Sequence, residues 1–188
     1  LLSPAVCFHF YAWLADTQTV YDGPVFYHGG ANAGGTVIYD RMKEGVVVTG
    51  INREEQEVLN LSKCLELYEK LLKQKKDVSE EMILLLHLAL LSKISGYEKY
   101  AGVYRPVNVM IRGSSHEFPH HTRVFFLMRE FLGWYDENKR LVHPVELAAK
   151  VHTKFTLIHP FADGNGRMAR LLMNYVLQLN GFPFTNIP

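Results

Sequence analysis

The run His159–Arg170, HPFADGNGRMAR, separates two helical patterns and restricts how they can be joined. Upstream, Pro144 to Ile158 places Val145, Leu147, Ala148, Val151, Phe155 and Ile158 at helical spacing. Downstream, Met168 to Leu179 is a second helical pattern that stops at Asn180-Gly181, with Pro183 just beyond. Between them, Pro160 and Asp163-Gly164-Asn165-Gly166 do not comfortably continue a helix. The chain is therefore predicted to make two helices joined by a tight loop that feeds a helix N-terminus. Unsatisfied N–H groups and the positive end of the helix dipole point the same way there, which suits an anion.

The residue types in the run match phosphate chemistry. His159 can take a proton, Asp163 can hold a metal, and Gly164 and Gly166 let backbone N–H groups approach an anion closely. Arg167 and Arg170 can neutralise further phosphate charge. A DGNG turn alone is ordinary, and two arginines on a helix can be plain solvated charges. The conjunction of histidine, carboxylate, Gly-Asn-Gly and two arginines three apart at one helix entrance is what points to a site.

Elsewhere the pattern is mainly helical. Arg53 to Lys75 reads as a long amphipathic helix with Val58, Leu61, Leu65, Tyr68 and Leu72 on or near one face. Ser79 is placed to cap a second helix with body Met82 to Ile94, and Val124 to Tyr135 a third. Pro4 to Ala15 suggests a short aromatic-rich helix, Val20 to Gly35 a glycine-broken loop, and Thr36 to Glu44 one or two helical turns. Arg105 to Ile111 alternates like a strand, confined to an edge by Pro106, and Gly113 to Pro119 is a turn-rich tip. The expected fold class is mainly α with one small β-hairpin. The chain divides into residues 1–35, a helix and Gly-rich loop, and residues 36–188, the main helical domain.

Composition bounds the function classes. At 188 residues, 48% hydrophobic and 21% charged, the chain is long and apolar enough for one globular core. A formal net charge of +1 gives no global basic field, which argues against a nucleic-acid partner. Cys7 and Cys64 each lie in an apolar pattern, which points to buried thiols and a reducing, cytoplasmic compartment over a disulfide. The chain starts without methionine and stops at Pro188 on no obvious boundary, so it reads as a segment of a longer protein with its C-terminus cut short.

The central run resembles the signature of the Fic family, HxFx(D/E)GNGRxxR, at every fixed position: His159, Phe161, Asp163, Gly164, Asn165, Gly166, Arg167 and Arg170. The likeness extends outward. Gly102 to Val124 resembles the family's Gly-x-x-Arg segment and its β-hairpin flap, LVHPVELAAKVHTKFTLIHPF the helix leading into the motif, and Gly50 to Asn60 the start of a long upstream helix. The resemblance covers residues 27–188 and implies a Fic-type helical bundle with a small β-hairpin flap.

The resemblance also implies an activity, transfer of AMP from ATP to a Ser, Thr or Tyr hydroxyl of a target protein. His159 would be the general base. Asp163 would hold Mg²⁺ bridging the α- and β-phosphates, and Asn165 with the backbone of Gly164 and Gly166 would cradle those phosphates. Arg167 would neutralise the β-phosphate and Arg170 the γ-phosphate, while Phe161, within the same nucleotide-binding motif, would be a buried anchor. The flap residues Arg112, Gly113, Ser114, Ser115 and His116 would hold an extended target segment by strand addition. His116, His120 and His121 also invite a metal reading, which the absence of a nearby cysteine and of any family metal there disfavours.

Many relatives carry an inhibitory helix of pattern (S/T)xxxE(G/N), whose glutamate pairs with the second motif arginine. In YHGGANAGGT, Tyr27 to Thr36, Gly29 stands at the serine position, Ala33 at the glutamate position, and Gly34 is kept. An alternative placement puts the glutamate at Glu44 before Gly45, with Asp40 at the serine position. On the first alignment the brake is missing, through divergence or an engineered change, unless another segment or a partner supplies it. Competing functions are removal of AMP, transfer of another phosphate-containing group, and a catalytically idle nucleotide- or peptide-binding module. Self-association into a homodimer is a further expectation from the family.

Overall fold

The computed structural model describes residues 53–111 and 116–185. Five helices make up the described fold. Helix α1, Arg53–Lys73, begins with Glu54 and Glu55 and ends with Lys70 and Lys73, each charge suited to its end of the dipole. It buries Leu61, Cys64, Leu65 and Tyr68, a single stripe at intervals of three and four. Its end is closed by Lys75 in the left-handed region (φ 50°), with Lys75 N–H donating to Leu72 O and Lys76 N–H to Leu71 O.

Helix α2, Glu80–Leu91, is capped by Ser79, whose side chain accepts from Met82 N–H at 3.2 Å. Met82, Ile83, Leu86, Leu90 and Leu91 are buried, as is His87 in the middle of the same apolar helix. Helices α3, Val124–Asn138, and α4, Pro144–Ile158, follow; α4 starts with Pro144, where a missing N–H costs nothing. Helix α5, Asn165–Leu179, packs most extensively on α4 and also touches α1 and α2. From Met168 to Leu177 only Arg170 escapes burial, so α5 is the central helix, covered by α4, α1 and α2, while α3 packs on α4. No helix of the described residues is long and apolar enough to cross a membrane.

Polar side chains tie this bundle at its far end. Tyr175 Oη donates to Lys76 O at 2.7 Å, Tyr68 Oη meets Gln178 Oε1 at 2.5 Å, and Tyr135 Oη donates to Asp77 Oδ1 at 2.8 Å. Cys64 is buried and its thiol is pushed up to about 12 by desolvation, so it is an inert core residue.

Three sequence expectations are corrected. Helix α2 ends at Leu91, not Ile94, with Lys93 turned to φ 59°. Helix α5 begins at Asn165, three residues before Met168, because Gly164 takes a left-handed conformation (φ 78°) and serves as the N-cap. Asn165 and Gly166 then occupy the first turn, where no helical acceptor is required of their N–H groups. The stretch Arg105 to Ile111 forms no strand among the described residues. Its first N–H donates to Pro160 O at 2.9 Å, Pro106 has no N–H, and the Arg105 side chain bends back to grip Val107 O at 3.0 Å. Arg112, Gly113, Ser114 and Ser115, expected in the flap, and everything assigned to residues 1–52, including Gly29, Ala33 and Gly34, lie outside the described residues.

Candidate active site

His159 ends α4 in the left-handed region, φ 51° and ψ 60°, with its N–H still donating to Phe155 O at 3.0 Å. A non-glycine residue there carries a backbone cost of about 1–2 kcal/mol, so something must hold it. Arg105 does so. Its Nε donates to His159 O at 2.8 Å, and its backbone N–H takes Pro160 O. The guanidinium is almost fully buried, its other nitrogens donating to Val107 O and Pro119 O. Three carbonyls thus stand where a counter-ion would be, and one side chain fixes the loop and both flanks of residues 108–118.

The His159 ring is half-buried and stacks on Phe118 at 4.0 Å between centroids. Its Nδ1 lies 3.3 Å from Thr156 O, and a carbonyl can only accept. The proton therefore sits on Nδ1, and Nε2 keeps its lone pair. Burial lowers the ring's pKa to about 4, reinforced by Arg105 and His116 and opposed by the Thr156 carbonyl and Asp163. The imidazole is neutral, and so able to accept a proton, across the physiological range.

On the other side of the loop, Asp163 is buried. Its Oδ1 accepts from Gly164 N–H at 2.6 Å, while Oδ2 faces Arg53 Nη2 at 3.4 Å and Arg167 Nη2 at 3.6 Å. Glu57 bridges the same two arginines, at 3.0 Å to Arg53 and 3.7 Å to Arg167. Tyr97 lies under the Arg53 guanidinium, 4.9 Å from ring centroid to carbon. Two cations and two carboxylates so neutralise one another at the start of α5, where the N–H groups of Asn165, Gly166 and Arg167 emerge. Arg170 is half-buried one turn further along, close enough to His152 on α4 that its charge helps lower that ring's pKa.

Asn165 and Phe161 hold the loop's shape. The Asn165 amide donates to Phe161 O and accepts from Phe161 N–H, both at 2.9 Å. The expected phosphate-cradling side chain is therefore occupied in closing the loop on itself. Phe161 is fully buried and stacks on His87 with centroids 3.5 Å apart, so it anchors the loop and offers no surface to a nucleotide.

The family model described as Fic/DOC family matches residues 77–177, more than half of the chain. The chain belongs to the Fic/DOC family. Protein adenylyltransferase Fic of Drosophila sechellia is 37% identical over 136 residues, 72% of this chain and 27% of that protein. Protein adenylyltransferase Fic of Nematostella vectensis is 35% identical over 165 residues, 84% of this chain and 38% of that protein. The chain thus spans well under half the length of these curated relatives. A Fic domain-containing signaling protein from Bacteroides thetaiotaomicron shares the fold, with a TM-score of 0.75 at 24% identity over 96% of this chain and 65% of that one.

Within this Fic-family site the sequence reading misses His87, Arg53 and Glu57, and quotes Arg105 without a role. His87 Nδ1 accepts from Gly102 N–H at 3.0 Å, so its Nε2–H donates to Asp163 O, also at 3.0 Å. It links α2, the Gly102 bend and the loop. Gly102 itself is required by proximity, since a Cβ there would meet Leu88 Cβ at 2.9 Å. A signal for His87 existed: it is the one ionisable side chain in MILLLHLALL, the apolar body of its helix. Of the histidines weighed as metal ligands, His121 is taken by Asn108 and His120 by Thr122. No group of three or more His, Cys, Asp or Glu gathers as a metal site among the described residues.

Proposed function

We propose that this chain carries the catalytic domain of a protein adenylyltransferase, moving AMP from Mg-ATP to a hydroxyl group of a target protein. The observation that carries this reading is the division of labour across one braced loop. A neutral imidazole with a free Nε2 stands at its start, and a buried carboxylate, two arginines and a helix N-terminus stand at its end. The names of the curated relatives support the same class of reaction.

In this reading His159 Nε2 accepts the proton as the target oxygen attacks the α-phosphorus. The new P–O bond forms while the bond to the β-phosphate breaks, and pyrophosphate leaves. Mg²⁺ would supply charge neutralisation at the phosphates and would need little from the protein. One hard carboxylate, Asp163, suits it, because magnesium keeps its remaining positions for phosphate and water. Arg53 must then release the Asp163 oxygen it now faces. The backbone of Gly164 and Gly166 receives phosphate oxygens, Arg167 takes the β-phosphate and Arg170 the γ-phosphate. Residues 112–116 would contact an extended segment of the target.

The test is intact-protein mass spectrometry of the purified chain with Mg²⁺ and ATP, beside His159→Ala. A gain of whole AMP units in the unaltered chain alone is the expected outcome. Equal gain in both would remove His159 from the chemistry. Tight ATP binding with no transfer to any hydroxyl-bearing target would instead favour an idle binding module.

A further inference from the structure

Phe118 and His159 form a stacked pair held from behind by one buried guanidinium. Arg105 Nε takes the carbonyl of His159, and Arg105 Nη2 takes the carbonyl of Pro119, the residue next to Phe118, at 2.5 Å. The backbone beneath the His159 ring and the backbone next to Phe118 are thus tied to the same side chain. The planes are inclined by only 29°, and Phe118 also makes a T-shaped contact with His116, centroids 4.9 Å apart. The His159 ring has one hydrogen bond of its own, the 3.3 Å bond from Nδ1 to Thr156 O, which is long for an N–H donor.

We propose that Phe118 is a positioning residue for the base: its ring fixes the imidazole plane with Nε2 towards the reacting hydroxyl and keeps water from that face. The inference rests on the proposed role of His159 but concerns the ring's placement, which can be read without turnover. Two effects of the phenyl face oppose each other. Excluding water disfavours the imidazolium, while the ring's negative face attracts it. Burial is the largest influence on this histidine, so water exclusion wins. The charged groups acting on His159 are Arg105 and His116, which disfavour its cation, and Asp163, which favours it. Replacing Phe118 changes none of these residues, and of the three only His116 makes a ring contact with it.

The experiment is a pH titration of the ¹⁵N-histidine-labelled chain by NMR, without nucleotide, for the unaltered protein, Phe118→Leu and Phe118→Ala. In the unaltered chain His159 should show the Nδ1–H tautomer and a midpoint well below the ordinary imidazole range. Phe118→Ala should raise that midpoint by at least one pH unit and mix the tautomers. Phe118→Leu, which keeps apolar cover and removes the flat ring, should mix the tautomers with a smaller rise in midpoint. It also serves as the folded control. The acid limb of kcat/KM for transfer should move upward with the midpoint. An unchanged tautomer and midpoint in both variants, each with native amide dispersion, would overturn the proposal. Shifted tautomers in a chain whose unaltered form transfers no AMP would uphold the placement of the ring and count against the proposed activity, so the two failures are distinguishable.

Discussion

Asn165 closes its loop with both halves of one amide, donating to Phe161 O and accepting from Phe161 N–H. Both backbone groups belong to a buried residue, so removing their partner leaves a donor and an acceptor in the core without compensation. Asn165→Ala should therefore cost about 2–4 kcal/mol of stability, counting roughly 1–3 kcal/mol per orphaned group discounted for relaxation. Transfer should fall more steeply than stability, because the loop sets His159 and Asp163 relative to each other. Denaturant titration paired with initial rates checks this; a variant with full stability but lost ATP binding would return the side chain to the phosphates. His159, Asp163 and Arg167 were legible in the sequence because their chemistry is declared by type and spacing within a dozen positions. Arg105 was not, because its bonds run to a carbonyl 54 positions away. Nothing in GVYRPVNVMI distinguishes a buried clamp from an edge-strand charge.

At the scale of elements, the decisive junction is the start of α5. Gly164 caps the helix at φ 78°, and a Cβ there would meet only ordinary contacts, His87 Nε2 at 3.6 Å and Arg167 Nη2 at 3.9 Å. Space is therefore available, and the cost of Gly164→Ala is the backbone's. About 1–2 kcal/mol is expected for a left-handed alanine, with the first-turn N–H groups tilted off the anion position. Lys75→Gly tests the same physics with the opposite sign. Lys75 closes α1 at φ 50°, so glycine should relieve strain and raise the melting temperature, less the entropy glycine adds to the unfolded chain. A fall in melting temperature for Lys75→Gly would show that the lysine's own contacts outweigh its backbone. The helices themselves were readable from apolar periodicity, with α4 recovered to the residue. The strand expected from Arg105 was a failure of the same reasoning: alternation over seven residues predicts a strand only when the backbone groups have a partner strand, and here the Arg105 N–H donates to Pro160 O while the Val107 carbonyl accepts from the Arg105 side chain.

The whole molecule has an acid weakness built into its centre. His87 is fully buried, stacked on Phe161, and bonded at both nitrogens, with Nδ1 accepting from Gly102 and Nε2 donating to Asp163 O. A protonated ring would lose the Gly102 acceptor and place a charge where desolvation opposes it, which is why its pKa falls from 6.5 to about 4. The unfolded chain binds that proton near 6.5 and the folded chain does not, so between those values unfolding takes up a proton. Stability contributed by neutral His87 is complete above pH 6.5, declines as pH falls, and is gone below about 4. The gap is worth roughly 3 kcal/mol, a large share of the 5–15 kcal/mol available to a domain. Asp77, whose carboxyl is lowered by Lys139, Tyr135 and Val78 against the opposing effect of burial, declines in the same direction. Replacing His87 with glutamine removes the titration while keeping a donor and an acceptor. The variant is expected to be less stable at pH 7.5, where the aromatic stack on Phe161 is missed, yet to lose less on acidification to pH 4.5. Chemical denaturation at the two pH values for both chains gives the four free energies needed. Equal acid losses in the two chains would assign the weakness to carboxylates instead. A smaller loss in the glutamine variant would locate it at the histidine that joins α2 to the Asp163 loop, so that the loop's anchorage and the core fail together as the pH falls.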